Sequence, residues 1–239
     1  MMRGPWPYAM LALSVAGCSK SDPAKPGADG PRPDPHGCLA ATISHHEHTD
    51  DRDGVEHDVH YKERFVRCGD RVWTERILPR GVPGEAAHGH EHHAMPATYT
   101  MARLVVRTHD DEATLAMVSR AERRIIAVTP ESYDAARFDG TFDAAAHILS
   151  SRAIATMPRL EGREAPVGAE WHGRSGAAGA VRVLWSKLYD IPLRIESESE
   201  GAAKRDTIEL ALEPPPLASD LPWAGLDAYE KKSDMDYMD

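Results

Sequence analysis

The stretch from Cys38 to Cys68 admits few arrangements other than a β-hairpin pinned at its base. Midway along it lies Arg52-Asp53-Gly54, and a three-residue loop with glycine in its last, left-handed position commonly joins antiparallel strands. Centring that loop on Asp53 makes facing residue numbers sum to 106, as 38 and 68 do. The two cysteines then stand opposite each other, at the roughly 5 Å Cα separation that a disulfide needs. The same register sorts the side chains. Leu39, Ile43, Val55, Val59, Tyr61 and Phe65 share one face, which reads as core. His46, His48, Asp58 and His60 share the other, with His46 opposite His60 and His48 opposite Asp58.

Histidine is concentrated in this part of the chain. Ten of the thirteen histidines lie between His36 and His93, and His88-Gly89-His90-Glu91-His92-His93 forms a second run. On an extended segment alternate residues point the same way, so His88, His90 and His92 converge, with His93 and Glu91 beside them. Met95 adds a soft thioether, which favours reduced copper. Two readings stand. In one, His88, His90, His92 and His93, or His46, His48 and His60 on the hairpin, bind zinc or copper. In the other, residues 86–95 are a solvated polar loop, because histidine-rich tracts bind such ions whatever their purpose. Motifs for catalysis are missing: there is no His-Glu-x-x-His, G-x-S-x-G, Walker loop or C-x-x-C-H. Asp50–Gly54 lacks the ligand spacing of a calcium loop. The chain therefore reads as non-enzymatic.

The N-terminus addresses the compartment. "MMRGPWPYAMLALSVAGC" carries one positive charge, Arg3, then an apolar run from Tyr8 to Ala16 that is too short to span a bilayer. Its end, "SVAGC" at 14–18, resembles a bacterial lipobox. That resemblance implies removal of residues 1–17 as a signal peptide and lipid on the Cys18 sulfur. Ser19, which is not Asp, implies outer-membrane anchoring, facing the periplasm or the cell surface. Residues 18–37 are rich in Pro, Gly, Asp and Lys and read as a flexible tether. The net charge of −10 argues against nucleic acid as a partner. The expected partners are the membrane, through the lipid, a metal ion, and a periplasmic protein.

Further along, "DRVWTERIL" pairs with "YKERFVR" across Cys68-Gly69-Asp70, and "YTMARLVVRT", "TLAMVS" and "RRIIAVTP" are strand-like. Thr129-Pro130 opens a short helix through Phe138. "FDAAAHILSSRAIATMP" reads as one amphipathic helix, with Phe142, Ala145, Ala146, Leu149, Ala153 and Met157 on its apolar side and His147 off it, at the surface. "EAPVGAEWHGRSGA" reads as a loop. The strands "AVRVLWS", "IPLRIESES" and "RDTIELAL" follow. Trp223 and Tyr229 dock the tail, and residues 231–239 form a loose acidic end.

The runs "ERFVRCGDRVWTERIL", "IIAVTPESY" and "IPLRIE" resemble the superfamily of outer-membrane lipoprotein carriers and receptors (LolA/LolB-like, RseB-like), over roughly residues 55–213. The resemblance implies a mainly β (α+β) domain at 38–230, a curved antiparallel sheet or half-barrel wrapped around a helix pair. It also implies an apolar concave face that holds acyl chains or a partner protein. Trp73, Ile77, Leu104, Val106, Leu115, Met117, Ile126, Leu149, Ile154, Met157, Leu184 and Leu193 would line that face or fill the core. The alternative to a metal-binding lipoprotein is thus a carrier-like binding module with incidental histidines.

Overall fold

The computed structural model describes residues 37–50, 54–78, 100–177, 179–199 and 203–237. Among them the strands are β1 (Leu39–Asp50), β2 (Glu56–Cys68), β3 (Arg71–Ile77), β4 (Ala102–His109), β5 (Glu112–Ser119), β6 (Arg124–Val128), β7 (Ala169–Gly176), β8 (Gly179–Ser186), β9 (Ile191–Ser199), β10 (Lys204–Glu213) and β11 (Glu230–Ser233). The helices are short: α1 (Phe142–His147), α2 (Ser151–Ala155) and α3 (Asp234–Tyr237). The strands make one open, curved sheet in the order β11-β6-β5-β4-β3-β2-β1-β10-β9-β8-β7. It is two antiparallel meanders, β1–β6 and β7–β10, joined where β1 pairs with β10 from Ala40↔Glu213 to Thr49↔Lys204. Only β11 runs parallel to its neighbour, β6, among the described pairings.

The hairpin register is the expected one. Leu39 faces Arg67, His46 faces His60, and a disulfide joins Cys38 to Cys68 across a Cα separation of 4.2 Å. Its apolar face is buried only near the base. Leu39, Ile43 and Phe65 are buried, whereas Val55 and Val59 are 50% and 44% exposed. β3 pairs with β2 only from Lys62 to Cys68, and α1 packs over the base rather than the tip.

Both faces of the β1–β6 half are covered. On one, Phe138, Phe142 and Ala146 pack against Ile43, Phe65, Val105 and Leu115. On the other, Leu226 packs on Val66, Trp73 and Leu104, helped by Leu221, Trp223 and Tyr229. The tail therefore docks through Trp223 and Tyr229 as expected. On the β8–β9 side, Ile154 and Met157 meet Val183 and Trp185. The apolar residues expected to share one concave face are thus divided: Leu115 lies on the helix-bearing face, while Trp73, Leu104 and Val106 lie under the tail. Strands buried on both faces lose the apolar–polar alternation that tells the faces apart.

Four local expectations give way. Residues 142–157 are two helices rather than one, broken at Ile148 (φ 64°). Serine hydroxyls bonding locally divert the backbone there: Ser150 caps α2 by accepting from the Arg152 amide. The segment after Thr129 is a single 3-10 turn, Pro130–Ser132. The loop expected around residues 164–177 contains β7. Between Glu230 and Asp234 the chain is not loose: β11 pairs with β6, and Asp234 Oδ2 accepts from the Thr129 amide at 3.1 Å.

Candidate functional site

The tip of the hairpin carries the polar cluster that the register predicts. His46 and His60 sit opposite each other and stack, with ring centroids 4.0 Å apart and 22° between planes. Asp58 Oδ1 lies 3.3 Å from His46 Nε2 and 3.0 Å from His48 Nδ1. His48 also engages Asp50, its Nε2 lying 3.0 Å from Asp50 Oδ1, so both of its ring nitrogens face carboxylates. Hydrogen bonding to Asp58, reinforced by the charges of Asp50 and Asp58, raises the His48 pKa against a smaller lowering from desolvation. The Asp58 carboxyl is held below its ordinary value, first by His48 and then by His46. One ligand atom each from His46, Asp58 and His60 lie within 4.8 Å of one another, and all three residues are exposed. His88, His90, His92, His93, Met95 and Cys18 lie outside the described residues.

A groove runs beside this cluster, on the face away from α1. One part, about 320 Å³, is lined by Ser44, His45, His46, His60, Arg194, Thr207 and Glu209. A second part, about 290 Å³, shares Ser44, Arg194 and Glu209 and continues over Leu184, Leu193, Leu210 and Ala211. Its wall includes the Arg194–Glu209 ion pair at 2.8 Å. The groove lies over β10 and its neighbours β1 and β9, at the seam between the meanders.

Two polar groupings escape the sequence reading. His45, on the opposite side of β1 from His46, stacks on Tyr61 with centroids 4.2 Å apart and bonds Glu63 at 2.9 Å. Arg76 covers the same tyrosine at 4.1 Å. The hairpin register alone would have found the His45–Tyr61 pair. The other grouping corrects the placement of His147 at the surface. Its side chain is 18% exposed, with Nδ1 2.9 Å from Asp143 Oδ1 and Nε2 3.4 Å from Asp190 Oδ2. Ser150 and Ser151 donate their hydroxyls to Asp143 at 2.6 and 2.8 Å, so neither is aligned on His147 as a nucleophile on its base would be.

No protein-family model matches the sequence, and no curated protein does. Among solved structures the chain is similar to an uncharacterized conserved protein from Thermus thermophilus (10% identity, TM-score 0.43, 83% of this chain and 91% of that one). It is also similar to a putative outer membrane lipoprotein-sorting protein domain from Vibrio parahaemolyticus (12% identity, TM-score 0.37, 82% and 93%). A third is a LolA superfamily protein from Nitrosomonas europaea (8% identity, TM-score 0.33, 79% and 90%). The likeness is one of general fold.

Proposed function

We propose that this protein is a lipid-anchored, periplasm-facing binding module without catalytic activity, which engages a partner polypeptide on the surface of its sheet. The observation that carries this reading is the contrast between the two sides of the seam. The helix-bearing side is filled by the protein's own Phe138, Phe142, Ala146, Ile154 and Met157. An acyl chain would have to displace them, exposing or crowding side chains that now pack at interior density. The groove on the other side is open. Its walls alternate hydrogen-bonding groups (Ser44, Thr207, Glu209, Arg194) over the apolar Leu184 and Ala211. That mixture matches the polar backbone and mixed side chains of a polypeptide better than a lipid tail. Compartment and anchoring are supported by the export signal and the lipobox-like Ser14–Cys18.

The test is site-specific photocrosslinking in intact cells. A photoreactive residue at Thr207 should yield a discrete adduct with one protein, and the same residue at Val167, which is fully exposed and distant in sequence, should not. Solvent extraction of the purified protein should release no stoichiometric fatty acid beyond the N-terminal lipid. Recovery of about one extra acyl chain per protein, or saturable binding of an apolar fluorophore, would replace this reading with carriage of an apolar ligand.

A further inference from the structure

The tip of the β1–β2 hairpin, we infer, binds one divalent transition-metal ion, zinc or copper(II), through His46, Asp58 and His60. The site stands independently of partner binding, since its ligands belong to one hairpin and need no second molecule. Three features argue for it. The first is donor spacing. Zinc–nitrogen and zinc–oxygen bonds of about 2.0–2.2 Å place neighbouring donors of a tetrahedron about 3.3–3.6 Å apart. His46 Nε2 and Asp58 Oδ1 already stand 3.3 Å apart. The donor of His60 lies within 4.8 Å of both, and a small rotation of its ring serves to bring it onto a shared ion. Exposed side chains make such rotations without disturbing the backbone.

The second feature is the framework. His46 and His60 are a cross-strand pair, and Asp58 is the diagonal neighbour of His46 through the His48↔Asp58 pair. Such positions are fixed by the strand ladder, and β1 is further held by β10 on its other side. Donors on a paired hairpin lose less freedom on binding than donors on a loop. The donor chemistry fits as well: two imidazoles and a carboxylate suit zinc or copper(II), not calcium or magnesium, which take oxygen.

The third is support from neighbouring groups. His48 Nδ1 holds the Asp58 oxygen at 3.0 Å and is itself held by Asp50. Ligating carboxylates are usually hydrogen-bonded in this way, and the partner sets their direction. His48 is therefore a positioning residue here and not a ligand. The remaining coordination positions face solvent and the groove that His46 and His60 line with Thr207. An ion held by three donors with open positions exchanges readily, unlike the closed four-ligand site of a structural zinc. The inferred role is reversible loading of a metal at the cell envelope.

The experiment must separate this site from the His88–His93 run, which is expected to take up metal by composition alone. The full mature chain in detergent, with His88, His90, His92 and His93 replaced by alanine, is titrated with zinc against a chromophoric chelator and with copper(II) by electron paramagnetic resonance. One ion per chain should remain. His46→Ala, His60→Ala and Asp58→Asn should each weaken it by at least about tenfold, and His48→Ala by less than any of them. The copper(II) spectrum should lose one coupled nitrogen in His60→Ala. Circular dichroism should not change, as the ligands are exposed, and His46→Gln serves if His46→Ala disturbs the strand. Binding weaker than tens of micromolar for both ions in the parent, or a loss under twofold when His46 and His60 are removed together, would overturn the assignment.

Discussion

The Asp143 carboxylate ties α1 to α2. It accepts from the Ser150 and Ser151 hydroxyls and from the Ser151 amide at 3.1 Å, and it faces His147. Burial pushes its pKa up, but these two hydroxyls, His147 and the Ser151 amide together outweigh burial and hold it below the ordinary carboxylate value. Asp143→Asn should therefore lower stability at neutral pH by about 1–3 kcal/mol, since donors that are part-buried lose a charged acceptor. The pH dependence has a definite sign. A carboxyl whose folded pKa is depressed contributes fully above its unfolded value, near ~3.9, and the contribution vanishes as pH falls through the lower, folded value. Urea midpoints of wild type and variant should differ by a constant amount from pH 7 to about 5 and converge toward pH 3. A difference that grows on acidification would contradict this account. Little of the grouping was legible in the sequence. His147 falls off the apolar stripe of its helix, and its second partner, Asp190, comes from the turn between β8 and β9, which no local pattern places nearby.

Elements were legible where two independent constraints agreed. The β1–β2 register was readable because the Asp53-Gly54 turn and the cysteine pair specify the same alignment, and the His46, Asp58 and His60 cluster came with it. β7 had no such help. "AEWHGRSG" buries only Trp171 and Gly173 and offers one large apolar side chain among glycines and charged residues, so it reads as a loop until β8 supplies a partner. What holds it is close packing: a β-carbon at Gly173 would stand 2.8 Å from Leu160 Cδ1 and 2.9 Å from the Val181 carbonyl oxygen. The leucine can turn aside, but the backbone oxygen belongs to the β7–β8 ladder. Gly173→Ala should accordingly cost about 1–3 kcal/mol, as overpacking does. Gly176→Ala, on the same strand with nothing within 4 Å of the added carbon, should be nearly neutral by comparison. Equal urea midpoints for the two variants would mean that β7 is not packed against residues 158–160 as described. The helix break was hidden for a related reason: an apolar stripe from Phe142 to Met157 fits one helix or two, and the Ser150–Asp143 bond decides between them.

At the scale of the whole molecule, the sequence conveyed a curved antiparallel sheet but not its order, because the pairing of β1 with β10 joins residues about 160 positions apart. The groove lies along that seam, and no local pattern brings β1 beside β10, so the candidate partner surface is a property of the fold and not of any one segment. The proposed attachment to a membrane rests instead on the charge and the N-terminus of the chain. With a net charge of −10, electrostatic attraction to an anionic leaflet is unfavourable. Among the described residues no helix is long and apolar enough to cross a membrane. The expected anchor is the lipid on Cys18, whose acyl chains contribute about 0.8 kcal/mol for each buried CH₂. These two forces respond differently to salt. Electrostatic adsorption is released as ionic strength rises, because screening shortens its reach to about 3 Å at 1 M, whereas acyl burial is not weakened. Wild-type protein should therefore stay in the membrane fraction through a 1 M salt wash and leave it in detergent. Cys18→Ser should give unprocessed or soluble protein with an unchanged circular dichroism spectrum in its folded domain. If the variant still sedimented with membranes and still incorporated labelled fatty acid, the anchor would have to lie elsewhere in the chain, and the lipobox reading of Ser14–Cys18 would fall with it.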